Sequence, residues 1–202
     1  MRHHLVLTIT LASSFLTAVD TASAEIPGEK SQISGAVSAA PEDRREEATV
    51  LGYSAGGELT MLREGTNEMI CLADKPGDDS FHATCYHQSL EAYMARGREL
   101  RAEGKEGPAT LDIRHQEADA GELEMPATPA TIYNLGGPSE IFNPETGEVS
   151  GGNWVWAIYI PYATEESTGL PTTPQAPGAP WIMRPGTASS HIMVVQPREP
   201  TP

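Results

Sequence analysis

Residues 153–162 read NWVWAIYIPY, with Trp154, Trp156, Ile158 and Ile160 on one face of an extended chain and Val155, Ala157 and Tyr159 on the other. Apolar side chains on both faces describe a strand covered from above and below, in the interior of a sheet. Upstream, Ala130 to Leu135 reads as a second strand, and Asn143-Pro144-Glu145-Thr146-Gly147 has turn chemistry between Phe142 and Val149. Downstream, residues 163–180 carry four prolines and no period, which predicts a long irregular loop. Trp181-Ile182-Met183 and His191 to Val195 are the last strands.

The N-terminal half has the same β character. ATVLGYS, ELTMLR and EMICLA, separated by Ala55-Gly56-Gly57 and by Glu64-Gly65-Thr66-Asn67, predict a three-stranded antiparallel meander over residues 48–73. A loop of turn formers, residues 74–79, then leads through Phe81 to Cys85-Tyr86-His87. Leu90, Tyr93, Met94, Gly97 and Leu100 recur at helical spacing between Ser89, a fitting N-cap, and Gly104, a fitting stop. Residues 109–122 carry a weaker second helical pattern, with Leu111, Ile113 and His115. The charged stretch PEDRREEA, opened by Pro41, suits a short surface helix. The expected fold is α+β: a mostly antiparallel β-sheet with one main helix (about 89–103) packed on it and long Pro/Gly-rich loops. Residues 41–197 form a single domain, after a small, polar leader (25–40) expected to be flexible and before a tail (198–202).

Residues 1–24 have the form of a cleavable signal peptide. Arg2 precedes an apolar stretch from Leu5 to Val19, and Ala22-Ser23-Ala24 closes it with the small-x-small pattern of a signal peptidase site. The stretch has about 15 residues where roughly 20 are needed to cross a bilayer. Cleavage near Glu25 predicts an exported protein, periplasmic or secreted, with no membrane insertion. The chain is acidic, with a formal net charge of −15. Such a field repels phosphate backbones and no run of basic residues offsets it, so nucleic acid is not an expected partner.

Cys71 and Cys85 are the only cysteines. In an oxidising compartment an even pair is most simply a disulfide, here pinning the 74–79 loop to the sheet. The minor alternative is zinc held by Cys71, His82, Cys85 and His87, or by His82, His87 and Asp79, although the spacing departs from zinc motifs. No cofactor motif is present: the Gly-Gly pairs lack the phosphate-loop pattern.

The remaining chemistry lies in His82, His87, Arg96 and His191, expected to border an interaction surface where the disulfide loop, the start of the long helix and the His191 strand meet. Trp154, Trp156 and Trp181 are either core or a platform for a sugar ring or apolar ligand. The leading expectation is a non-enzymatic module that binds a small ligand or an envelope component. The rival is a metal-assisted or acid–base enzyme using His87 and His191 with Asp78 or Asp79, which requires two imidazoles and a carboxylate within about 4–5 Å of one another.

Several phrases act together as a signature: Met61-Leu62-Arg63-Glu64-Gly65-Thr66-Asn67, Cys71-Leu72, Cys85-Tyr86-His87 and Tyr93-Met94-Ala95-Arg96-Gly97-Arg98. With Tyr159-Ile160-Pro161-Tyr162-Ala163 and His191-Ile192-Met193 they resemble a family of uncharacterised exported bacterial proteins over most of residues 48–196. The resemblance implies a bacterial, exported setting and one continuous domain. It brings no catalytic residues.

Overall fold

The computed structural model describes residues 25–77 and 79–197. The signal segment 1–24, the tail 198–202 and Asp78 lie outside the described residues. The strands are β1 (Thr49–Tyr53), β2 (Leu59–Arg63), β3 (Met69–Leu72), β4 (Ser80–His87), β5 (Ala130–Pro138), β6 (Asn153–Tyr159), β7 (Trp181–Met183) and β8 (His191–Val195). They form one open, eight-stranded sheet in the order β2-β1-β3-β4-β5-β6-β8-β7. All pairs are antiparallel except β1 with β3. Of the 153–162 stretch, Asn153–Tyr159 takes the expected interior place, as β6 between β5 and β8, while residues 160–162 turn out of the strand, Tyr162 with a left-handed φ of +62°. The fold is α+β with a mostly antiparallel sheet.

Strand alternation gives two cores. Val50, Cys71, Phe81, Ala83, Cys85 and Leu135 face helix α1 (Glu29–Val37), from which Ala36 packs among them. On the other face Tyr86, Ile132, Ala157 and Tyr159 pack with Leu90 and with Tyr93 of helix α2 (Glu91–Ala102). Helix α3 (Pro108–Asp119) runs beside α2, and Arg96 joins them through a forked contact to Glu117, with Nη2 2.7 Å and Nε 2.9 Å from its carboxylate. The expected single main helix is therefore one of two equal twelve-residue helices.

The segment expected to be a flexible leader instead contains α1. Its inward residues are Ser31, Gln32, Gly35 and Ala36, too small or too polar to register as an apolar stripe. Gln32 is 4 % exposed, and its amide works as an extra strand for the backbone of Tyr53. Its Nε2 donates to the Tyr53 carbonyl (2.9 Å) and to Pro27 O (2.8 Å), and its Oε1 accepts from the Tyr53 N–H (2.7 Å). A buried polar side chain with its hydrogen bonds met is stable in place, which is why a polar helix can cover this core.

The expected meander is also corrected. β1 and β2 form the anticipated hairpin, but β3 lies on the far side of β1 and runs parallel to it, with Val50 opposite Cys71. The chain between β2 and β3 crosses the start of β1, where Thr66 N and Asn67 N both donate to Glu47 O (2.8 and 3.1 Å). Gly65 sits at the crossing, and the backbone of Glu47, Ala48 and Thr49 occupies the space a Cβ would need. Backbone cannot yield as a flexible side chain does, so Gly65→Ala is expected to destabilise the domain by about 1–3 kcal/mol or more, seen as a lower urea midpoint.

Candidate functional site

One side of the sheet is not fully covered by α2 and α3. A groove of about 570 Å³ runs between these helices and the strands, in the range typical of small-molecule sites. Its floor is central, with apolar Ile132 of β5, Ala157 of β6 and Met193 of β8 beside the hydrogen-bonded pair Thr84–Asn134 (2.9 Å), and Met94 of α2 forms part of the wall. Its fixed cations come from scattered elements: Lys75 from the loop after β3, Arg101 from the end of α2, Arg114 from α3 and Arg184 from the turn after β7. One carboxylate, Asp74, lines the same groove. Four cations against one carboxylate form a basic patch on a chain of net charge −15. Nothing in the linear sequence marks this cluster, because its members stand at positions 75, 101, 114 and 184.

Arg114 is held firmly. Its guanidinium lies 4.0 Å from the centroid of the Tyr93 ring, and it donates to the Thr110 and Tyr93 carbonyls (3.2 and 3.3 Å). Gly97 of α2 faces this arginine closely. A Cβ on Gly97 would stand 2.9 Å from Arg114 Nη1. Arg101 and Arg184 form no ion pair or hydrogen bond through their guanidinia among the described residues. Partial burial, then the neighbouring Arg114 and Arg98 guanidinia, push the Arg101 pKa below its ordinary value. Arg184 also adopts a left-handed backbone, φ +52°, a conformation costing a non-glycine residue about 1–2 kcal/mol. Backbone strain of this kind gathers at ligand sites.

At the Arg184 end, His191 is 4 % exposed and lies stacked on the Tyr159 ring, with centroids 4.9 Å apart and planes 14° apart. Its Nδ1 donates to the Ser189 carbonyl at 2.7 Å, which leaves Nε2 as the free ring nitrogen. Burial lowers the His191 pKa, and Arg184 adds to this, against an opposing contribution from the Ser189 carbonyl. Burial likewise pushes the Tyr159 hydroxyl up to about 12. The fully buried Ser189 serves a second histidine as well, its Oγ lying 2.6 Å from His115 Nε2. Burial and then Arg184 lower the His115 pKa.

The residues singled out in the sequence are dispersed. His191 and His82 both line the groove. They occupy rows set by Ala130 and Gly136 of β5, about 20 Å apart along the strand at roughly 3.4 Å per residue. His87 points to the opposite face, where its Nδ1 accepts from Ser89 N (3.2 Å) and caps the 3-10 turn Gln88–Leu90. Asp79 precedes β4 and His87 ends it, so His87, His191 and Asp79 do not converge. The geometry required of the acid–base site is absent from these residues. Arg96 is spent on Glu117, Glu99 and Glu103 and ties helices together away from the groove. Trp154 and Trp156 share one face of the sheet, whereas the register puts Trp181, opposite Met193, on the other, so the three do not make one platform.

Cys71 and Cys85 are directly opposed on β3 and β4 and joined as a disulfide, both fully buried. Their sulfurs are therefore not available to zinc. Among the described residues, no three His, Cys, Asp or Glu side chains are grouped as a metal ion would require, and no helix is long and apolar enough to cross a membrane. A second hollow, of about 530 Å³, contains His87, but its cation Arg44 is already paired with Glu68 (3.2 Å) and Asp43 (3.5 Å). No family model, curated protein or solved structure matches the chain.

Proposed function

We propose that the protein is an exported, non-enzymatic binding module that takes a small anionic ligand, free or from the cell envelope, in the groove beneath α2 and α3. What carries the reading is the gathering of Lys75, Arg101, Arg114 and Arg184 around a floor that is largely apolar, with Arg101 and Arg184 left without anionic partners among the described residues. Four cations beside a single carboxylate raise the energy of the empty groove, and an anion relieves it. The disulfide and the signal-like N-terminus support an oxidising, exported setting. The net negative charge slows the approach of anions, so specificity resides in the groove and not in long-range steering.

Titration with anilinonaphthalene sulfonate, an anion with an apolar body, tests this. The double variant Arg101→Gln/Arg184→Asn removes two charges that ordinarily contribute up to about 1 kcal/mol each, and asparagine tolerates the left-handed backbone at 184. The Kd is expected to rise about tenfold, while Arg44→Gln, at the other hollow, leaves it unchanged. An affinity indifferent to the double variant would end the anion-groove reading.

A further inference from the structure

His191 has a chemistry that the arginines do not supply. It is buried to within 4 % of its surface, it lines the groove, and its Nδ1–H is committed to the Ser189 carbonyl. A neutral imidazole so arranged presents at Nε2 a lone pair, which repels an anion. A protonated one presents an N–H beside Arg184. Stacking on Tyr159 and the Ser189 bond fix the ring plane, so the ring meets a ligand by changing its proton rather than its rotamer.

We propose that the Arg184 end of the groove receives the head of an oxyanion ligand (carboxylate, sulfonate, sulfate or phosphate), and that His191 binds it as imidazolium, taking one proton from solvent as the ligand enters. The proposal rests on the anion-groove reading and gives it a head-group position. The ligand's apolar body lies along Ile132, Ala157 and Met193.

The groups facing His191 give the sign. From β6 comes the neutral Tyr159, from the turn after β7 the cation Arg184, and from α3 Arg114 at the groove wall and His115 through Ser189. The carboxylates Asp112 and Asp119 act on His115, and Asp74 sits with His82 at the far end, its Oδ1 accepting from His82 N at 2.8 Å. Empty, the site therefore disfavours the charged imidazole, with burial first and Arg184 next lowering its pKa. Occupied, an oxyanion offsets Arg184 and favours the charged ring, so the pKa rises on binding. Affinity must then increase as pH falls through the interval between the free and the bound values.

Two probes keep a fixed charge across this interval: inorganic sulfate and anilinonaphthalene sulfonate. Both are expected to bind about tenfold more tightly near pH 5.5 than near pH 7.5, with anilinonaphthalene sulfonate the tighter at each pH. His191→Gln should flatten the dependence, whereas His115→Gln should preserve it. Calorimetry of the unmutated protein in two buffers of different ionisation enthalpy should show uptake of roughly half a proton or more per site near pH 6.5, a readout that does not depend on any variant folding. Arginine-dependent binding that is flat with pH, or takes up no proton, overturns this proposal alone. So does a pH dependence that survives in a folded His191→Gln. Failure of both probes to bind at any pH overturns the groove reading together with it.

Discussion

Replacing the cystine by Cys71→Ala/Cys85→Ala is expected to lower the unfolding free energy by about 3 kcal/mol, the loop-closure entropy for roughly fifteen residues. The half-cystines are separated by 14 positions and sit opposite one another on adjacent strands, wholly inside the core beneath α1. The link restrains the unfolded chain where the turn-rich 74–79 segment would otherwise wander. Against a usual total of about 5–15 kcal/mol this loss is a large share, and it corresponds to a fall in Tm of about 6–12 °C for a domain of this size. Urea denaturation of the two proteins measures it. An unchanged midpoint would mean that the core, not the crosslink, holds β3 and β4 together.

The second large effect is expected at Tyr93. Its ring is 1 % exposed, packs on Tyr159 with centroids 5.8 Å apart, and carries the Arg114 guanidinium on its face. Tyr93→Ala should cost about 3–5 kcal/mol, as aromatic truncations in cores do. It should also free Arg114 to swing, so that anion affinity falls along with stability. Tyr93→Phe keeps the ring, and with it the packing and the cation–π contact, and should cost less than about 1 kcal/mol. Denaturant titration of both variants, paired with anilinonaphthalene sulfonate binding, checks this. Equal losses for Phe and Ala would show that the hydroxyl, not the ring, carries the effect.

What the sequence disclosed depended on whether a residue's role was local. β6 was legible because its alternation runs through consecutive positions, and α2 because its stripe recurs every three to four residues. The cystine was legible because only two cysteines exist. α1 was hidden because it packs through Ser31, Gln32, Gly35 and Ala36, and Gln32 is buried on the strength of bonds to Tyr53, a residue 21 positions away. β4 was obscured by the loop before it, although Phe81, Ala83 and Cys85 do alternate with His82 and Thr84. The parallel placement of β3 could not be read from its turns, since a crossing loop and a hairpin loop use the same residue types. The groove is the extreme case. His82 and His191 stand out in the sequence as histidines, but Lys75, Arg101, Arg114 and Arg184 acquire meaning only once the sheet has brought β3, α2, α3 and β7 to one side.

The parallel pairing of β1 with β3 has a consequence for how the molecule opens. The hairpin of β1 and β2 is fastened to the rest of the sheet by three register pairs, Thr49–Ile70, Val50–Cys71 and Leu51–Leu72, together with the α1 packing above them. The cystine lies one strand further in, so it does not secure that margin. Loss of the outermost strand β2 would therefore leave the crosslinked centre and the cationic groove's β5–β6–β8 floor paired, whereas α1, seated over Cys71 and Cys85, belongs to that centre and not to the margin.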